Sequence, residues 1–187
     1  MLFRSNAGTY TVYAEARNTS TGCVSSRTAV TLTINKVQLT ITAANQTVTY
    51  GTAAATVTGA GTYSVTGFVN GETASVISGS GTVTYTTTYT ATTNAGTAGV
   101  TITPVVAGLS ATNYSFTAAT GTITISAAPL TVTASAQSKT YGGTAPTSGT
   151  LNTNFTVSGL QNSDAVSGVT LGYSGTPAGN LATAAVG

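Results

Sequence analysis

The chain of 187 residues carries 5 Lys or Arg and 3 Asp or Glu, so 4% of it is charged, where an ordinary soluble domain has roughly 25%. A formal charge of +2 over that length cannot neutralise a run of phosphates, which excludes nucleic-acid and polybasic lipid binding. His and Trp are absent and Cys23 is the single cysteine, so Ser-His-Asp catalysis is excluded and a thiol nucleophile lacks its usual base. Mean hydropathy is +0.25, yet Thr, Ser or Gly interrupts every apolar run well short of the ~18 residues of a spanning helix. No membrane span is expected. Met1-Leu2-Phe3-Arg4-Ser5-Asn6 has no basic stretch ahead of an apolar one, and reads as a start inside a domain rather than a secretion signal.

Alternation of apolar and polar residues dominates the chain. Tyr10, Val12, Ala14 and Ala16 alternate with Thr11, Tyr13, Glu15 and Arg17, the pattern of a half-buried strand. The turn cluster Asn18-Thr19-Ser20-Thr21-Gly22 follows, and Val30, Leu32 and Ile34 mark a second strand. Further strands are predicted at Leu39, Ile41 and Ala43, along the Thr-rich run from Thr82 to Thr93 with Val83, Tyr85 and Tyr89, at Ile123 and Ile125, and at Leu130, Val132 and Ala134. The β-branched bias and the 22 Gly leave no window for a substantial helix, with at most a short turn near Asn70 to Ser75.

A repeat organises these strands. Leu39-Thr40-Ile41-Thr42-Ala43, Gln46 and Thr49-Tyr50-Gly51 return as Leu130-Thr131-Val132-Thr133-Ala134, Gln137 and Thr140-Tyr141-Gly142. Gly67-Phe68-Val69-Asn70-Gly71-Glu72 returns as Gly159-Leu160-Gln161-Asn162-Ser163-Asp164, with one residue inserted between the two blocks. The implied layout is a leading segment 1–36, a complete β-module 37–127 and a second module 128–187. The second has no counterpart of Val100 to Pro104 or of Asn113 to Ile125, so it is expected to be truncated and poorly ordered or aggregation-prone in isolation. Ile34 to Leu39 and Ile125 to Leu130 are equally spaced, and joints this short, one stiffened by Pro129, predict a semi-rigid string.

The Leu-Thr-Ile-Thr-Ala opening with its Thr-Tyr-Gly, the Gly-Phe-Val-Asn-Gly-Glu segment and the ending Asn113-Tyr114-Ser115-Phe116 through Ile125 resemble MBG domains of the YGX type. These are tandem β-rich modules of large bacterial surface and adhesin-like proteins. The likeness spans Leu39 to Ile125 fully and Leu130 onward in part. Such modules often carry an acidic residue after the glycine, where this chain has Thr52, so no metal role is expected there. Gly8 to Ala16, Thr21 to Ser25 and Val30 to Ile34 resemble the C-terminal half of an Ig-like domain common in secreted Bacteroidetes proteins. In that family the cysteine commonly pairs with one earlier in the domain, which leaves Cys23 without its partner and fits an exported protein.

Catalytic and metal readings fare poorly on the residues themselves. The acids Glu15, Glu72 and Asp164 fall one per segment, and neither a carboxylate dyad nor a calcium site forms from one acid each. Glu72 and Asp164 read as solvent-facing turn acids. Ser138 and Lys139 are adjacent and point to opposite faces of a strand, and Lys36 and Lys139 lack the buried acid that a spontaneous isopeptide bond needs. The Thr stripe is β-propensity without charge rather than an ice-binding array. Tyr50 and Tyr141 read as core or corner residues, while Tyr63, Tyr85 and Tyr89 are the candidates for stacking on a sugar.

The sequence therefore predicts an all-β chain of tandem small modules, β-sandwich (Ig-like) or mostly-β grasp-like, with no catalytic residue, metal or cofactor. The resemblance implies a non-catalytic stalk or spacer of a secreted or cell-surface bacterial adhesion protein, with neighbouring modules of the same chain as partners. The alternatives are an adhesin module that binds a glycan or host surface protein through the three tyrosines, and an accessory region of a secreted enzyme.

Overall fold

The computed structural model describes residues 5–174; residues 1–4 of the predicted leading segment and 175–187 of the predicted second module lie outside them. The fold is all-β, as the alternation implies, with one short helix and two 3-10 turns among the described residues. The described residues divide into two units, the first built from 5–47, 53–89 and 98–124, the second from 48–52, 90–97 and 125–174.

The first unit begins with an antiparallel hairpin of β1 (Gly8–Ala14) and β2 (Thr28–Ile34), in register from Gly8 opposite Ile34 to Ala14 opposite Thr28. The Asn18 carboxamide oxygen accepts the N–H groups of Ser20 and Thr21, both at 2.9 Å. That is the local bonding by which Asn initiates a turn. The two strands lie where the alternation predicts them, but every residue of β1 is exposed rather than half-buried, because a two-stranded ribbon supplies no second layer over its apolar face.

Two sheets follow, built from β3 (Val37–Ala43), β4 (Gln46–Thr49), β5 (Tyr63–Thr66), β6 (Tyr85–Thr87), β7 (Thr101–Pro104), β8 (Tyr114–Ala119) and β9 (Gly121–Ser126). One has the order β5-β3-β8 and the other β4-β9-β7-β6. Strand β3 runs antiparallel to β5 and parallel to β8, with Val37 opposite Tyr114. Period-two alternation aims Leu39 and Ile41 from β3, Ile102 from β7 and Ile123 from β9 inward, each no more than 1% exposed. Each such side chain contributes about 1.5–3 kcal/mol by leaving water. The helix α1 (Ala54–Gly59) is too short to show a helical period in the sequence; Val57, 2% exposed, pins it to the core.

The Thr-rich run is not one strand. Only Tyr85–Thr87 pairs with β7; the hydroxyl of Thr87 donates to the Thr101 carbonyl and accepts the Tyr89 N–H at 3.0 Å, and the chain turns inward. Threonine hydroxyls that bond nearby backbone compete with a ladder, which is why propensity over-extended this strand.

In the second unit β10 (Thr131–Ala134) pairs antiparallel with β12 (Phe155–Ser158), and β11 (Ser148–Gly149) with β13 (Val169–Thr170). Thr131 faces Ser158 and Ala134 faces Phe155, the same register in which Thr40 faces Thr66 and Ala43 faces Tyr63. The glycine after each second strand has a left-handed φ, +106° at Gly67 and +96° at Gly159. A β-carbon would lie 2.7 Å from the Gln38 carbonyl oxygen at Gly67 and would collide with that of Pro129 at Gly159. Burial differs: Leu130 and Val132 are 50% and 44% exposed where Leu39 and Ile41 are covered.

Both the left-handed φ and the carbonyl contact penalise a side chain at Gly67. The expected outcome is that Gly67→Ala lowers unfolding free energy by about 1–3 kcal/mol in a urea titration. Gly59→Ala, in open space at the end of α1, should change it by no more than about 0.5 kcal/mol.

Candidate functional site

The three tyrosines singled out for stacking do not form one surface. Tyr89 is 2% exposed, so its ring faces the core and offers nothing to a ligand, which corrects its reading as a stacking candidate. Tyr63 is half-buried and its hydroxyl donates to the Ser80 carbonyl at 3.0 Å. The ring of Tyr85 lies directly over Gly61, where a β-carbon would collide with it. Burial, and secondarily the neighbouring Tyr63 phenol, raises the Tyr85 pKa above the ordinary 10.0. Tyr85 lines an open cleft of 310 Å³ with Ala55, Thr58, Gly61 and Val83. Tyr63 and Tyr85 are thus the pair that the fold brings together.

A more closely built arrangement involves Glu72, Asn113 and Tyr114, none of which the sequence marks as a binding candidate. Parallel pairing of β3 and β8 puts Asn113-Tyr114 beside the start of β3. The Asn113 carbonyl accepts the Val37 N–H at 2.9 Å, and its side-chain oxygen accepts the Ala7 N–H at 2.8 Å. Tyr114 is 2% exposed; its hydroxyl donates to the Glu72 carboxylate and accepts the Val69 N–H at 3.2 Å. Phe68 meets the Tyr114 ring edge-on, with centroids 5.8 Å apart and planes at 73°, a geometry worth about 0.5–1.5 kcal/mol beyond burial. Glu72 is therefore half-buried and bonded rather than a solvent-facing turn acid. The loop it closes, Gly67 to Glu72, lines a small cleft together with Ala7, Ile34 and Asn35 of the hairpin end.

The counterpart loop in the second unit, Gly159 to Asp164, has the same backbone. Asn162 has φ +51° and Ser163 +65°, against +58° at Asn70 and +73° at Gly71, and Asp164 N–H bonds the Gln161 carbonyl at 2.7 Å as Glu72 N–H bonds that of Val69 at 3.1 Å. This loop is held by the Tyr50-Gly51 turn of the same unit. Gln161 occupies the space a β-carbon on Gly51 would need, with its Cγ 2.7 Å from that position. The Ala91 carbonyl accepts both the Gly51 N–H at 3.1 Å and the Asn162 side-chain amide at 2.7 Å. Around the contact is a cleft of 360 Å³ lined by Tyr50, Asn94, Ala127, Leu130, Leu160 and Asp164 among others.

None of these places assembles a nucleophile with a base. Among the described residues no group of three His, Cys, Asp or Glu side chains could hold a metal ion, and no helix is long and apolar enough to cross a membrane. What the geometry does is fasten loops to turns.

Residues 39–124 match the family model of the MBG domain (YGX type). That family is a non-catalytic repeat module of the surface-protein type. No curated protein and no solved structure matches the chain. The Tyr-Gly pair of the matched segment, Tyr50-Gly51, is the turn that seats the Gln161 loop, and its Asn-Tyr pair, Asn113-Tyr114, is the latch on the Glu72 loop. Tyr141, the counterpart of Tyr50, is 74% exposed, which corrects its reading as a core or corner residue: no second loop covers it among the described residues.

The two Tyr-Gly turns permit an internally controlled experiment. Gly51 and Gly142 share a left-handed φ, +91° and +84°, but a β-carbon at Gly142 meets nothing within 4 Å. Gly51→Ala should accelerate amide hydrogen exchange across residues 159–164 by roughly tenfold, equivalent to about 1.4 kcal/mol, and Gly142→Ala should leave those amides unchanged.

Proposed function

We propose that this chain is a non-catalytic repeat segment of a large secreted or cell-surface bacterial protein, working as an extracellular stalk or spacer in adhesion. Residues 1–36 are the C-terminal part of an Ig-like domain, 37–127 a complete MBG-like module and 128–187 a second one. The observation that carries this reading is how the hairpin joins the MBG segment. Only Asn35 and Lys36 separate β2 from β3, and the link is fastened at several points: Ala7 N–H and Val37 N–H to the two oxygens of Asn113, and Lys36 Nζ to the Ala111 carbonyl at 2.8 Å. A short, hydrogen-bonded joint resists bending in a way a loose linker cannot, and stiffness is what a spacer needs to convert repeats into reach. A chain with 4% charged residues fits the same role.

One observation favours the rival reading of a glycan-binding module. Tyr85 borders the open cleft beside α1, and an aromatic edge with Thr hydroxyls nearby suits a sugar.

Both readings are tested on one sample by 15N relaxation of the full chain. The spacer reading predicts that β1 and β2 tumble with the correlation time of β3 and β8, and that Asn113→Ala lowers the order of the Ala7 and Val37 amides. Independent tumbling of the hairpin would remove the stiff joint and the reading with it. Saturable amide shifts confined to Tyr85, Gly61 and Thr58 during glycan titration would favour the binding module.

A further inference from the structure

The two copies of the Tyr-Gly turn differ in occupancy rather than construction. Thr49-Tyr50-Gly51-Thr52 and Thr140-Tyr141-Gly142-Gly143 close with the same backbone bond, Thr52 N–H to the Thr49 carbonyl at 3.1 Å and Gly143 N–H to that of Thr140 at 3.0 Å. Their glycines share the left-handed conformation. At the first turn a loop of the form Gly-X-X-Asn-X-acid is seated, with Gln161 against the bare face of Gly51. At the second, among the described residues, the face of Gly142 is open and Tyr141 is 74% exposed.

We propose that the Thr140–Gly143 turn is a docking surface for the Gly-X-X-Asn-X-acid loop of another repeat of this kind. The glycine is what makes the surface specific, because any side chain there would fill the space that the residue two places after the loop's glycine occupies. The tyrosine beside it would border the docked loop, as Tyr50 borders the cleft beside Leu160 and Gln161 in the occupied copy. The chain itself shows the complementarity: the occupant at Gly51 is a loop whose left-handed Asn and following residue recur at Asn70 and Gly71. Turn and loop lie on different parts of each repeat, so the contact is heterologous and repeats itself along a chain. The inference rests on the reading of the chain as serial modules and concerns their joint, not their role at a cell surface.

The test is an NMR titration of the 15N-labelled full chain with a synthetic peptide of residues 155–166, which carries the loop and its strand stem. The expected result is saturable shifts at the amides of residues 140–143, with a dissociation constant on the order of 1 mM, lost in the Gly142→Ala chain, reduced in the Tyr141→Ala chain and absent with a scrambled peptide of the same composition. No saturable shift at several times that concentration, equal shifts with the scrambled peptide, or shifts confined to Tyr50 and Gly51 would each overturn the proposal. The hairpin tumbling that tests the spacer reading is unaffected by any of these outcomes, so the two fail separately.

Discussion

A buried tyrosine hydroxyl bonded to a carboxylate is the interaction on which the described architecture turns. Tyr114 reaches the Glu72 carboxylate and the Val69 amide at once, and it can do so only because β8 runs parallel to β3 with Tyr114 opposite Val37. In a chain with 3 acidic residues, one of them is committed to holding a loop. A charge-assisted bond to a partly desolvated carboxylate is stronger than a neutral one. It fixes a loop whose Asn70 and Gly71 both have left-handed backbones, conformations that cost energy unless the surroundings hold them.

From that latch the rest follows in order. Fixing Val69 and Glu72 fixes Phe68 against the Tyr114 ring, which closes the cluster of Leu39, Ile77 and Tyr114 with Val65 and Leu109 around it. The adjacent Asn113 is then placed to bond both Ala7 and Val37, so the residue pair that seals the core also fastens the hairpin. In the second unit the corresponding loop keeps its backbone but finds its support elsewhere, on Gly51 and the Ala91 carbonyl. One loop geometry thus serves two settings, and its glycine, Gly67 or Gly159, is required in both by a carbonyl oxygen that leaves no room for a β-carbon.

Much of the fold was legible because alternation is a direct readout of a pleated strand with one covered face. Leu39, Ile41, Ile123 and Val132 all lie on the strands that their spacing predicts. The repeat was legible too, and the common registers of β3 with β5 and of β10 with β12 express it in three dimensions. Helix α1 escaped because so short a helix has no period to detect. The Thr run misled because hydroxyl-to-backbone bonds, invisible to propensity, end the strand at Thr87 and send Tyr89 into the core. Glu72 reads as a solvent-facing turn acid because its partner is 42 positions away in sequence. The signal that could have found it was the joint presence of Asn70-Gly71-Glu72 and Asn113-Tyr114 in the first repeat. Exposure of Tyr141 could not be read from a motif it shares with Tyr50, since the difference lies in what covers each turn.

The central claim is that the Tyr114–Glu72 bond organises the loop, and a double-mutant cycle measures it most directly. Unfolding free energies of the full chain and of its Tyr114→Phe, Glu72→Gln and doubly substituted variants would be compared in urea. The account predicts a coupling energy of about 1–2 kcal/mol. Additivity to within about 0.5 kcal/mol would contradict it and leave the loop held by packing and backbone conformation alone.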